Sequence, residues 1–124
     1  MRLVRQMGLV ELARRKCVSY SSKTPPMKRA DAQKYLQQLN GWTLAGGNIL
    51  KEFEFRDYLE GLKFAYSLGK IAEKENHHPD IHIKWKKVIV TLSTHDIKGL
   101  SENDFIMAAK ARRSAGNLSR RSLR

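Results

Sequence analysis

Beyond Pro25-Pro26 the hydrophobic positions switch repeatedly between a helical and a strand period. Ala32, Tyr35, Leu36 and Leu39 recur at i, i+3, i+4 and i+7, which predicts a short amphipathic helix ending near Asn40-Gly41. Trp42 to Ala45, a "GGN" turn and "ILKEFEF", with Ile49 and the alternating Phe53 and Phe55, predict a β-hairpin. From Asp57 to about Asn76 a stripe of Tyr58, Leu62, Ala65, Leu68 (or Gly69) and Ala72 marks the main helix, with Lys63, Lys70 and Lys74 pointing elsewhere. Pro79 disfavours the α conformation at His78, so the helix is expected to be over by there.

Strand periodicity then returns. Ile81, Ile83 and Trp85 alternate with His82 and Lys84, and Val88, Val90 and Leu92 alternate with Ile89, Thr91 and Ser93, predicting a second hairpin that turns near Lys86-Lys87. After Gly99, "SEND" is a capping box, with Ser101 at the N-cap and Asp104 three residues on, ahead of the apolar Phe105, Ile106, Ala108 and Ala109. The order α-ββ-α-ββ-α predicts an α+β two-layer sandwich: a four-stranded antiparallel sheet made of two hairpins, with helices packed on one face.

Charge first changes the picture at the ends. The formal charge of +12 divides into +7 over residues 1–29, −1 over residues 30–109 and +6 over residues 110–124, so a near-neutral body lies between basic ends. A nucleic-acid surface would place charge and aromatic side chains on a folded face, whereas the ends offer only Tyr20; nucleic acid is therefore not expected as a partner. Residues 1–26 are Arg-rich, Ser-bearing and carry the single acid Glu11, with Leu3, Met7 and Val10 on one helical stripe. That is the composition of a mitochondrial, matrix-targeting leader, the alternatives being a disordered extension and a cytoplasmic protein. The expected domain is 27–112, followed by a disordered basic tail, 113–124. No run of about 18 apolar residues is present to span a membrane. Cys17, the one cysteine, leaves no intrachain disulfide and no cysteine-based zinc site.

The candidate chemistry lies in "EKENHHPDIHIKW", which holds three of the four histidines. Imidazoles give and take protons near neutrality, so convergent histidines suggest proton transfer or metal binding. Glu73 and His77 are at i and i+4, which would set the carboxylate one turn below the ring. His95 ends "VIVTLSTH", where a strand returning beside the helix end could bring it to His77. His78 and His82 have the i, i+4 spacing of helical metal ligands, but Pro79 between them breaks the helix that spacing needs, so no metal site is expected. The plainer alternatives are that His82 is a solvated strand residue, His78 a helix-stop residue and Asp104 a cap worth about 1 kcal/mol. Trp42 and Trp85 have a core reading beside a ligand-platform one.

The set Glu73, His77-His78-Pro79, Trp85, His95 and Asp104, with "GW" at 41–42, "KEFEF" at 51–55 and "STHD..GLSENDF" at 93–105, resembles the signature of the pterin-4a-carbinolamine dehydratase family. The similarity spans roughly residues 29–110 and leaves the basic ends outside. The resemblance implies an enzyme that dehydrates 4a-hydroxytetrahydrobiopterin to quinonoid dihydrobiopterin in tetrahydrobiopterin recycling, without metal or other cofactor. It implies His77 and His95 as the proton-transfer pair, with Glu73 tuning or positioning them. His78, Pro79, Trp42, Trp85, Asp96 and Asp104 are implied as substrate contacts. Asn76 stands where some relatives have Asp, and Asp96 where some have Glu. A homo-oligomer, a dimer or a tetramer built as a pair of dimers, is also implied. Some animal members double as dimerization cofactors of a hepatocyte nuclear homeodomain factor, so the alternative function is a non-catalytic binding or assembly protein on the same fold.

Overall fold

The computed structural model describes residues 8–122. Helix α1 (Leu9–Arg14) precedes helix α2 (Arg29–Leu36), strands β1 (Thr43–Ala45) and β2 (Asn48–Glu54), and helix α3 (Tyr58–Glu75). Strands β3 (Asp80–Ile83) and β4 (Lys87–Leu92), a short 3-10 turn (His95–Ile97) and helix α4 (Glu102–Ser122) complete the chain. The architecture is the expected α+β one, with α1 added at its start.

Each hairpin is antiparallel, and β2 pairs with β4 to join them in the order β1-β2-β4-β3. The register sets Ile49 opposite Leu92 and Phe53 opposite Val88, so the inward side chains of both central strands meet on one face. Lys51 lies between them opposite Val90, on that same inward face. Its stem follows the sheet while the ammonium escapes to the Asn40 carbonyl at 2.9 Å. Burial still lowers its pKa.

Helix α3 covers this face. Asp57 caps it by accepting the Glu60 amide at 2.9 Å, and Glu60 reaches back to the Arg56 amide at 3.0 Å. Its buried stripe is Gly61, Phe64, Leu68 and Ala72, rotated from the expected one, which shares only Leu68 and Ala72 with it. The reason is Phe64: its ring lies 4.8 Å from Phe53 and 5.1 Å from Phe55, and so large an apolar surface outweighs Tyr58, which stays exposed.

Helix α4 is buried on all sides through Phe105, Ile106, Met107, Ala108 and Ala109. A helix apolar all round needs cover all round. Helix α2 supplies part, with Tyr35 stacked on Phe105 at 4.7 Å, and α1 supplies another part through Leu12 and Ala13. Lys110, itself buried, donates to the Ala13 carbonyl at 2.6 Å. The boundary expected at residue 27 therefore does not mark where packing starts, because residues upstream of it belong to the core. At the other end, α4 runs to Ser122 with Ala115 in the core, in place of the expected tail from 113. Among the described residues no helix is long and apolar enough to cross a membrane.

Leu12 is 0 % exposed. Leu12→Ala is expected to cost about 2–5 kcal/mol in chemical denaturation. A loss below about 0.5 kcal/mol, the size of an ordinary surface substitution, would show that α1 is not part of the packed unit.

Candidate active site

Three chain segments meet at Asp104. This carboxylate, 0 % exposed, lies in the first turn of α4 and closes the predicted capping box by accepting the Ser101 amide at 3.0 Å through Oδ2. The Ser101 hydroxyl accepts the Asn103 amide at 3.2 Å. The same Oδ2 also accepts the Thr94 hydroxyl at 2.8 Å, while Oδ1 lies 2.7 Å from His77 Nε2. Asp104 is thus both a cap and the partner of a histidine. An ionised carboxylate only accepts, so in that state the hydrogen of this contact belongs to Nε2 and Nδ1 is without one.

The segment 94–101 is a closed loop. Thr94 N donates to Gly99 O at 2.7 Å, and Lys98 takes a left-handed conformation at φ 54° to make that return. Gly99 is required by a close approach, since a Cβ there would meet Pro26 Cβ at 2.5 Å. The closure brings the Thr94 and Ser101 hydroxyls to 2.6 Å and sets the Thr94 hydroxyl and the Ser101 amide on Asp104. Thr94 was not singled out from the sequence, although it lies within the "STHD" stretch of the family signature.

His77 is aimed by the end of α3. Asn76 is left-handed at φ 53°, and the Asn76 and His77 amides both return to the Ala72 carbonyl. The helix is therefore stopped by Asn76, three residues before Pro79, to which the sequence had given that role. This turn redistributes the carboxylates. Glu73, expected beneath His77, hydrogen-bonds His78 on the exposed surface, and His77 takes Asp104.

Around His77 lies a cleft of about 220 Å³, lined by Cys17, Val18, Ser19, Tyr20, Glu75, Asn76, His77, Thr94, Asp96 and Asn103. His95 is exposed and stands in the chain between two lining residues, Thr94 and Asp96. Glu75 accepts the Cys17 amide at 2.8 Å. Burial, and then Glu75, pushes the Cys17 thiol up to about 12, so it is protonated at neutral pH.

Neither tryptophan meets these groups. Trp42 is 6 % exposed and packs edge-on to Phe53 at 6.0 Å, in the core and outside the residues that line the cleft. Trp85 is 72 % exposed at the turn after β3, with the Lys86 ammonium 4.7 Å from its ring. It occupies the end of β3 away from His77, because the pairing ends at Ile83 and the expected alternation does not reach it. His82, opposite Ile89, is an exposed strand residue. Among the described residues no cluster of three or more His, Cys, Asp or Glu forms a metal-binding group.

The family model described as pterin 4 alpha carbinolamine dehydratase matches residues 25–114. The chain belongs to this family. A protein of Azoarcus sp. (strain BH72), provisionally named a pterin-4-alpha-carbinolamine dehydratase, is 46 % identical over 111 residues, covering 88 % of this chain and 95 % of that one. One of Alkaliphilus metalliredigens (strain QYMF), provisionally given the same name, is 44 % identical over 101 residues, covering 80 % and 91 %. The crystal structure of a transcriptional coactivator/pterin dehydratase from Brucella melitensis superposes with a TM-score of 0.71 at 31 % identity, covering 73 % of this chain and 99 % of that one. The fold is that of the pterin-4a-carbinolamine dehydratase family, and the cleft at His77 is its candidate active site in this chain.

Asp104→Ala removes the cap and strands the Thr94 hydroxyl and Ser101 amide in the interior. It is expected to lower stability by about 2–4 kcal/mol in urea titration, with Asp104→Asn losing less. Equal, negligible losses for both would exclude a structural role for the carboxylate.

Proposed function

We propose that the chain dehydrates 4a-hydroxytetrahydrobiopterin to quinonoid dihydrobiopterin by histidine acid/base chemistry. The observation that carries this reading is His77, held at 2.7 Å by the fully buried Asp104 at the wall of a cleft of suitable chemistry, in a chain of this family. In the reaction the C4a–O bond breaks and its electrons leave with the hydroxyl, which is protonated to water. The N5 proton is removed and the N5 electrons form the N5=C4a bond.

His77 suits the base role. Its Nε2 hydrogen is held by Asp104, so Nδ1 takes the N5 proton and the resulting imidazolium stays beside a carboxylate. His95, exposed and next to cleft-lining Asp96, is the donor to the leaving hydroxyl in this reading. His78, oriented by Glu73 on the exposed rim, contacts the pterin. Asp96 contributes to the same wall.

In a dehydratase assay with chelator present, His77→Ala and His95→Ala are each expected to lower kcat by about 10²–10⁴-fold, the usual weight of one general acid or base. Wild-type turnover that survives both changes would remove these roles. A wild type without turnover would favour the non-catalytic assembly reading.

The mitochondrial location is also proposed, on composition alone: Arg2, Arg5, Arg14 and Arg15 accompany only Glu11 as acid in the first 26 residues. A fluorescent protein carrying residues 1–26 is expected to co-localise with mitochondria. Uniform cytosolic fluorescence would reject it.

A further inference from the structure

Four of the residues lining the His77 cleft come from one short stretch, Cys17 to Tyr20, which lies upstream of the family match at residues 25–114. The stretch has no regular secondary structure, yet it is fastened at successive points. Asn103, buried in the first turn of α4, donates through Nδ2 to the Val18 carbonyl at 2.6 Å and accepts the Val18 amide at 3.0 Å through Oδ1. A side-chain amide here replaces a neighbouring strand and satisfies both backbone groups of one residue. Cys17 N is fixed to Glu75 Oε1 at 2.8 Å, and Glu75 is 3.9 Å from Lys110 Nζ, which also holds α1 through Ala13 O. Tyr20, half-buried, lies beside Ser101, whose hydroxyl touches Thr94.

The anchors are the neighbours of the reacting group. Asn103 adjoins Asp104 in the chain, Glu75 lies two residues before His77, and Ser101 gives its amide to Asp104. Displacing the stretch would leave the His77–Asp104 pair in place but remove one wall of the cleft.

We infer that Cys17–Tyr20 is a substrate-binding strap, with the Tyr20 ring as a flat apolar surface for a pterin, so that this segment sets affinity while His77 performs the chemistry. The inference rests on the dehydratase reading for the identity of the ligand. A planar heterocycle gains from an aromatic face that is held rigid before binding, because the ordering cost is met on folding.

The test compares full-length wild type with Asn103→Ala, which frees Val18, and with Tyr20→Ala and Tyr20→Phe. Steady-state dehydration and fluorescence titration with 7,8-dihydrobiopterin are measured on each. Asn103→Ala and Tyr20→Ala are expected to raise KM and the dissociation constant about five- to twentyfold with kcat within about twofold, and Tyr20→Phe to restore most of the affinity. Should Asn103→Ala fail to fold by circular dichroism, the exposed-side Tyr20 variants decide the matter. Unchanged KM and affinity, or a fall in kcat alone, would overturn the strap. Wild type that binds 7,8-dihydrobiopterin without turnover, with binding weakened in the variants, would sink the dehydratase reading and uphold the strap. No binding and no turnover in the wild type would overturn both.

Discussion

The buried Asp104 carboxylate is the constraint around which the site is organised. Moving a carboxylate out of water costs several kcal/mol unless hydrogen-bond donors replace the lost hydration. Here the donors are the Thr94 hydroxyl, the Ser101 amide and His77 Nε2, brought by the end of β4, the start of α4 and the end of α3. Satisfying one charge therefore requires three segments, distant in the chain, to converge. The left-handed turn at Asn76 and the loop closed at Gly99 are what that convergence demands of the backbone. A stabilising feature and a chemical one are the same contact.

The second dependency runs from the core to the cleft. Helix α4 is apolar around its first turns and must be enclosed, and α1 encloses one side of it. Once α1 is docked, the chain leaving it passes directly over Glu75 and Asn103, so residues 17–20 reach the cleft as a consequence of packing elsewhere. The basic N-terminal region is in this sense not an appendage: its downstream half completes the core and walls the site. Its composition suits a leader, and its packing suits a structural element, because a short amphipathic helix with Arg and Leu serves either purpose.

Much of the sheet was legible because a strand's period of two leaves little freedom. Ile49, Phe53, Val88, Val90 and Leu92 follow the predicted alternation, and they are buried on one face. The capping box at Ser101 and Asp104 was legible because both halves lie within one turn. The rotated stripe of α3 was not, since Tyr58 and Phe64 compete for burial and only the position of the Phe53 and Phe55 rings decides between them. Trp42 and Trp85 illustrate the same limit: the hydrophobicity of a tryptophan does not say whether it fills a core or caps an exposed turn. The run Phe105 to Ala109 did carry a signal for the missing cover, being too uniformly apolar for a helix with one wet face.

The order of elements, the antiparallel sheet and the family were legible from the chain alone, because these depend on local periodicity and on motif spacing. Which carboxylate pairs with which histidine depends on long-range packing. Glu73 and His77 are neighbours on an ideal helix, but one left-handed residue at Asn76 turns the chain, giving Glu73 to His78 and His77 to Asp104. Sequence separation predicts contacts only while a regular element persists, and His77 and His78 lie just past the end of one.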